Sequence, residues 1–217
     1  MTTVAEIIGR VNTQLLDTLM LRWPLAELCD HYNDAVRAVI LARPDAGASV
    51  ETLKCVPGSR QTLPAGALRL IDVIRLTDGN ALLPVPRDVL DHDYPDWHSL
   101  SGVPERYVYS EMTPRIFYLF PAPDESVSID AVVCRIPDAV TITSLEDKTE
   151  IRIDEAYVNP LVDWILFRAF SKDAAGGANS GQAMQHYQAF ADQMGIRQNT
   201  DRFMAQMKQA QFDGGTA

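Results

Sequence analysis

The hydrophobic period changes twice along this chain, and that constrains the fold more than any single motif. Near the start, apolar residues recur at helical spacing: Val4, Ile7, Ile8, Val11, Leu15 and Leu19, then Leu25, Leu28, Cys29, Tyr32, Val36, Val39 and Ile40. Between roughly 45 and 149 this gives way to short β-type runs separated by turn residues. From Asp154 the helical period returns. Tyr157, Leu161, Trp164, Ile165, Arg168 and Ala169 share one face, which Phe170 widens, and Met184, Tyr187, Phe190, Ala191 and Met194 form a later stripe. This order predicts an α+β chain: a four-helix bundle of two N-terminal and two C-terminal helices, an inserted antiparallel β-rich domain, and an extended C-terminal tail. The expected boundaries are 1–44, 45–149, 150–196 and 197–217.

Local signals place the elements. Thr3-Val4-Ala5-Glu6 is a capping box, in which side chain and backbone satisfy each other's orphan groups. Proline suits a first helical position, so a second helix is expected from Pro24, ending at Pro44. The short connection around Arg22-Trp23 makes the two helices neighbours, as in an αα-hairpin. Candidate strands are Val50–Cys55, Arg69–Leu76, Arg106–Ser110, Ile116–Phe120 and Val127–Arg135. Leu68, Leu70, Val73, Ile74 and Leu76 suggest a well-buried strand. Asp78-Gly79-Asn80 is a turn after which Ala81–Pro84 returns antiparallel. Asp154 is an N-cap candidate, and Pro160 should start or kink the helix that follows. Residues 174–181 read as a flexible joint, and Gly195 as a helix stop. Beyond it Phe203, Met207 and Ala210 keep helical spacing, but an isolated polar helix is marginal without something to pack on.

Composition narrows the function classes. The chain has 217 residues, 47% hydrophobic and 22% charged, enough to build a core and inconsistent with a disordered chain. Its net charge is -10, and residues 45–149 alone carry 16 acidic against 9 basic groups. Proteins that grip DNA neutralise phosphates with Lys and Arg, so a gripping role is disfavoured. Cys29, Cys55 and Cys134 show no paired spacing and read as reduced thiols. No apolar run approaches a membrane span, and polar residues interrupt any signal-type run at the N-terminus, so export is not expected.

Motifs of catalysis are missing: there is no phosphate-cradling P-loop, no dinucleotide fingerprint, no nucleophile elbow and no H-E-x-x-H. The richest cluster is Asp88-Val89-Leu90-Asp91-His92-Asp93-Tyr94-Pro95-Asp96-Trp97-His98. Asp and His are metal ligands, but this spacing matches no metal motif. An interface segment is the better reading, because Trp, Tyr and His beside Pro suit a buried anchor with a polar rim. His31 and His186 fall beside apolar helical stripes and read as helix-flanking. Tyr107, Tyr109, Phe117, Tyr118 and Phe120 fit cross-strand aromatic pairing, with a base-stacking platform as the disfavoured alternative. Arg22, Arg37 and Arg43 offer sites for a partner carboxylate, although solvated helix faces have the same appearance.

Several segments, taken in order, are familiar. They are Leu21-Arg22-Trp23-Pro24-Leu25-Ala26-Glu27-Leu28, Asn33-Asp34-Ala35, Arg43-Pro44-Asp45-Ala46 and Pro95-Asp96-Trp97-His98. Further on come Arg106-Tyr107-Val108-Tyr109, Phe117-Tyr118-Leu119-Phe120-Pro121, Tyr157-Val158-Asn159-Pro160-Leu161-Val162-Asp163, Arg168-Ala169-Phe170-Ser171-Lys172-Asp173-Ala174 and His186-Tyr187-Gln188-Ala189-Phe190. Over roughly residues 1 to 195 the chain resembles the head-to-tail adaptors of short-tailed bacteriophages, similar to the tubular tail protein A class of T7-like phages. The last 20 residues have no counterpart in this likeness.

The resemblance implies a structural virion protein, made in the bacterial cytoplasm and built into the tail at the portal vertex. It implies a ring, typically a dodecamer, between portal protein and tail nozzle protein, with fibres or spikes at its rim. It also implies a channel through which the genome leaves, and a helical bundle with an inserted β-domain. No catalytic residue, cofactor, metal or membrane contact is carried over. An acidic wall lets DNA slide without sticking, which gives the charge a purpose. The candidate interface residues are Arg22, Trp23, Arg43, Asp91, His92, Tyr94, Trp97, His98, Phe203 and Met207, the last two on a tail segment, 198–212, for which folding by docking on the portal and plain disorder are the two readings. The competing readings are a metal-dependent enzyme, or a small-ligand or peptide-binding module, using segment 88–98.

Overall fold

The computed structural model describes residues 2–146, 149–172 and 179–195. The joint expected at 174–181 falls largely outside the described residues, and the tail at 197–217 entirely so. The chain divides into two compact units, one made by residues up to Ala46 together with those from Asp138 onward, the other by Gly47–Pro137. It is a mixed α+β protein with sheets that are mainly antiparallel.

The first unit is helical. Helix α1 (Val4–Leu15) begins at the capping box: Thr3 Oγ1 accepts from Glu6 N at 3.2 Å and Glu6 Oε2 accepts from Thr3 N at 2.8 Å. Helix α2 (Leu25–Ala42) has Pro24 as its N-cap. Helix α5 (Val158–Lys172) follows a single 3₁₀ turn, Glu155–Tyr157, capped by Asp154, whose Oδ1 accepts from Ala156 N at 2.7 Å. Pro160 lies in the first turn of α5, where no intrahelical partner for its nitrogen is needed, so it starts the helix without breaking it. A further helix, α6, covers residues 180–195.

Helix α5 is the hub. Its Leu161, Ile165, Leu166 and Ala169 are fully buried, as are Val4, Ile7 and Val11 of α1 and Leu28, Ala35 and Val39 of α2. Each buried Val, Leu or Ile among them contributes roughly 1.5–3 kcal/mol. Helices α1 and α2 each pack more extensively on α5 than on one another, so the expected hairpin is completed by a helix distant in sequence.

Three details of this unit differ from the sequence reading. Leu19 does not extend the α1 stripe. The helix stops at Leu15, Leu16 takes a left-handed φ of 55°, and Leu19 is 76% exposed. Met184 and Tyr187 of α6 are exposed, while Ala183, Phe190 and Met194 are buried. A short helix α4 (Ile142–Glu146), which the sequence did not signal, follows Val140. Asn33 of α2 clips that stretch: its Nδ2 donates to Val140 O at 2.9 Å and its Oδ1 accepts from Val140 N at 2.8 Å.

The second unit holds two sheets. The three-stranded sheet has β7 (Ser128–Arg135) between β1 (Ala48–Lys54) and β3 (Ala67–Leu76), both antiparallel to it. The four-stranded sheet runs β2 (Arg60–Thr62), β6 (Ile116–Phe120), β5 (Arg106–Tyr109), β4 (Leu83–Pro84). One core joins them, with Leu70, Val73, Ile129, Ala131 and Val133 from the first and Tyr107, Phe117 and Leu119 from the second. Cys55 belongs to this core, and burial pushes its thiol up to about 11. All three cysteines are buried and outside any disulfide.

Strand β3 is not buried as a simple run. Register shifts fall between Ala67 and Arg69, Leu70 and Asp72, and Val73 and Arg75. Each bulge inserts a residue and flips the alternation. Burial therefore recurs every third residue, at Ala67, Leu70, Val73 and, in part, Leu76, while Ile74 is exposed. The antiparallel expectation also fails at one edge. Ala81 returns as a single bridge to Arg75, after which β4 pairs with β5 in parallel. Two residues of strand are enough because Leu83 N donates to Glu105 O and Val85 N to Tyr107 O.

Candidate interaction surfaces

The Asp/His-rich segment lies over the outer face of the four-stranded sheet. Strands β5 and β6 pair Arg106 with Phe120, Tyr107 with Leu119, Val108 with Tyr118 and Tyr109 with Phe117. Period-two alternation sends Tyr107, Phe117 and Leu119 into the inter-sheet core and leaves Val108, Tyr118 and Phe120 on the opposite face. That second apolar face needs a cover, and residues 85–98 supply it. Helix α3 (Arg87–Asp93), N-capped by Pro86, places Leu90 on the sheet, and Trp97 completes the cluster at 1% exposure.

Three side chains of this segment, Asp91, Trp97 and His98, hold that cover in place. Trp97 Nε1 donates to Asp91 Oδ1 at 2.8 Å, and Arg87 Nε donates to Asp91 Oδ2 at 3.1 Å. The indole hydrogen bond, then the Arg87 charge, hold the Asp91 carboxyl below its ordinary value. His98 stacks on the Trp97 ring at 3.7 Å between centroids, and its Nδ1 is hydrogen bonded to Ser59 Oγ at 2.9 Å. Tyr94 leans on Phe120 at 5.3 Å and stays half exposed. His92 is exposed. Among the described residues no group of three or more His, Cys, Asp or Glu side chains is arranged to hold a metal ion.

At the other end of the chain order, Trp23 is an interior residue at 5% exposure. Its Nε1 donates to Ala169 O at 3.0 Å, its ring meets Phe170 edge-on, and the Arg22 guanidinium lies 5.5 Å from its centroid. Lys172 Nζ donates to Arg22 O at 3.0 Å and pairs with Glu27 at 2.6 Å. Arg43 forks onto Asp45, with Nε and Nη2 at 2.9 and 2.8 Å from the two carboxylate oxygens, and holds that carboxyl below its ordinary value. Phe203 and Met207 lie outside the described residues. The candidate residues thus fall into two groups, one in each unit. Within them Trp23 and Trp97 are buried, while Arg22, Asp91, His92, Tyr94 and His98 are exposed.

Two features escaped the sequence reading. The loop between α1 and α2 exposes Leu16, Leu19 and Leu21, and Asp17 fixes it by accepting from the backbone N–H groups of Leu21, Arg22 and Trp23. The dense apolar run Leu15-Leu16 and Leu19-Met20-Leu21 was its only signal, since a helix cannot bury all five on one face. The second is the junction of α5 with α6. Asp163 accepts from His186 Nδ1 at 2.9 Å and from Gln193 Nε2 at 2.7 Å, and His186 stacks on Phe170. Around it, Trp164 meets Phe190 at 4.8 Å and Phe167 meets Tyr187 at 5.2 Å.

This organisation is that of a mixed α+β protein whose two buried indoles, Trp23 and Trp97, each anchor their own unit. The chain belongs to the SU10 adaptor protein family, whose model matches residues 2–210. That match extends beyond Gly195, where the resemblance read from the sequence ended. The family is a phage adaptor family, so the role is structural, in the virion, in association with other head and tail proteins. No curated protein matches the chain. No helix among the described residues is long and apolar enough to cross a membrane.

Proposed function

We propose that the chain is a head-to-tail adaptor that forms a ring, of twelve copies, between the portal protein and the tail nozzle protein. In this reading the helices α1, α2, α5 and α6 act as a four-helix bundle, and the β-rich insert is a second body. The ring encloses the channel through which the genome leaves, and its rim offers fibres or spikes a place to attach. The family match over nearly the whole chain carries the proposal.

The charge distribution supports the channel role. The β-rich insert, taken as residues 45–149, has a net charge of -7, and the whole chain -10. Counterion release would make a basic lumen sticky, whereas carboxylates facing DNA repel phosphates and permit sliding. Genome DNA is then a cargo in transit. Residues 198–212, apolar at Phe203 and Met207, are in this reading a further candidate contact with the portal. The test is to mix the purified chain with the portal protein of the same phage and view the product by negative-stain microscopy. Rings seated on the portal are expected, and a chain that stays monomeric and ignores the portal would overturn the reading.

A further inference from the structure

A sheet edge presents a row of unpaired backbone donors and acceptors, and proteins blunt such edges against unwanted pairing. The β-rich unit has four edges, β1 and β3 in one sheet and β2 and β4 in the other. Three are blunted. Strand β2 is three residues long, and β4 is two, one of them Pro84. Strand β3 carries the register shifts and gives part of its second edge to the returning chain: Leu76 N donates to Asn80 O at 3.0 Å and Leu82 N to Ile74 O at 3.2 Å. Strand β1 differs. It runs for seven residues, Ala48–Lys54, in unbroken register against β7.

The parity of the ladder says which groups β1 offers. Cys55 N donates to Val127 O at 3.0 Å, so Leu53 and Glu51, of the same parity, also direct their backbone groups at β7. Val50, Thr52 and Lys54 then turn their N–H and C=O groups to the open side, where no described residue bonds them. Their side chains share the sheet face opposite to the core that holds Cys55 and, in part, Leu53. All three residues are exposed, Val50 at 65%. Thr52 Oγ1 donates to Asp130 at 2.9 Å, while Lys54 makes no ion pair among the described residues.

Lys54 selects the occupant. In an antiparallel pair with a second β1, residues of like parity must face each other to exchange backbone bonds. Lys54 would then meet Ala48, Val50, Thr52 or another Lys54, and never a carboxylate. An edge lysine left in that position discourages the pairing. We infer that β1 accepts one more antiparallel strand from a different protein, an extended segment with a carboxylate opposite Lys54 and, four residues later, a β-branched or aromatic residue opposite Val50. In strand addition of this kind main-chain bonds supply the affinity and alternate side chains choose the segment. Opposite charges and apolar pairs facing each other across the strands make that choice. The inference goes beyond the ring and holds for any number of copies.

The test uses the full-length chain and a capped synthetic peptide, Thr-Glu-Val-Thr-Lys-Val-Thr, read by amide exchange. With the peptide in large excess, exchange at Val50, Thr52 and Lys54 should slow several-fold, while Glu51 and Leu53, already bonded to β7, should keep their rates. A second peptide with Lys in place of Glu should bind the native chain several-fold more weakly, and Lys54→Glu should reverse that order. Val50→Pro removes one outward N–H at a position where an edge strand tolerates proline, and should abolish the response. Lys54→Glu, at an exposed site, carries the test alone if Val50→Pro does not fold. No slowing with the peptide in excess, equal slowing at Glu51 and Leu53, or the same order of the two peptides in both chains would overturn the inference. Slowing that grows with the concentration of the chain alone would overturn it in favour of β1 pairing with a second copy.

Discussion

Asp91 and Trp97, six residues apart, are joined by a 2.8 Å hydrogen bond from the indole Nε1 to a carboxylate oxygen, and the ring beneath that bond is almost completely buried. The bond makes an intramolecular clasp of a segment that reads in the sequence as a partner interface. Indole burial supplies the energy, and the carboxylate fixes the ring orientation that lets His98 stack on one side and Tyr118 and Phe120 meet it edge-on.

Removing the anchor should therefore cost more than removing the charge. Trp97→Ala is expected to destabilise the β-rich unit by about 3–5 kcal/mol, the range for large-to-small aromatic substitutions in a core. Asp91→Asn and His92→Ala should have much smaller effects. Urea unfolding of the three variants, followed by tyrosine and tryptophan fluorescence, makes the comparison. A loss with His92→Ala equal to that of Trp97→Ala would show that the segment is held by something other than the indole.

The same reading makes a statement about metals. Adding Zn²⁺ or Mg²⁺, or removing divalent ions with EDTA, should leave the melting temperature unchanged, because a ligand that bound the native state would raise it by mass action. A concentration-dependent rise that disappears in Asp91→Ala would restore the metal reading of residues 88–98.

Trp23 predicts a smaller effect. Trp23→Phe keeps the contact with Phe170 and removes the donor to Ala169 O, leaving a buried carbonyl short of one partner. The expected cost is about 1 kcal/mol, the net worth of one hydrogen bond. It should appear as a shift of the urea midpoint at unchanged slope.

Acid should loosen the leucine-bearing loop before it unfolds the helices. The backbone hydrogen bond from Trp23, reinforced by those from Arg22 and Leu21, holds the Asp17 carboxyl below its ordinary 3.8. A group with a depressed folded value contributes stability that is present in full above about 3.8 and is lost as pH falls through the folded value. Amide exchange at Leu21, Arg22 and Trp23, corrected for intrinsic rates, should accelerate below that pH in the native chain. In Asp17→Ala those amides should exchange fast at all pH values. Equal protection in both chains would remove Asp17 from the account.

Much of the fold was legible because its signals are local. The Thr3–Glu6 box, the Pro24 start, the Asp154 cap and the neighbouring aromatic strands around Tyr107 and Phe117 all depend on residues close in sequence or on one simple alternation. What escaped depends on distant partners. Nothing near Leu19 says that the helix ends at Leu15, because that stop comes from Asp17 capturing three N–H groups further along. The bulges of β3 convert a period of two into one of three, which a search for alternation reads as continuous burial. The cover role of 85–98 needs the outer face of β5 and β6, which exists only once both strands are paired. Of the candidate site, residue types and segments were legible, but their exposure was not. Trp23 and Trp97 look like interface anchors in sequence, and each anchors its own unit.

Mass photometry of the full chain mixed with its portal protein tests the central claim most directly. A closed complex carrying twelve adaptor copies per portal ring is the expected result. A portal that keeps its own mass, beside an adaptor that remains at 24.1 kDa, would contradict the account.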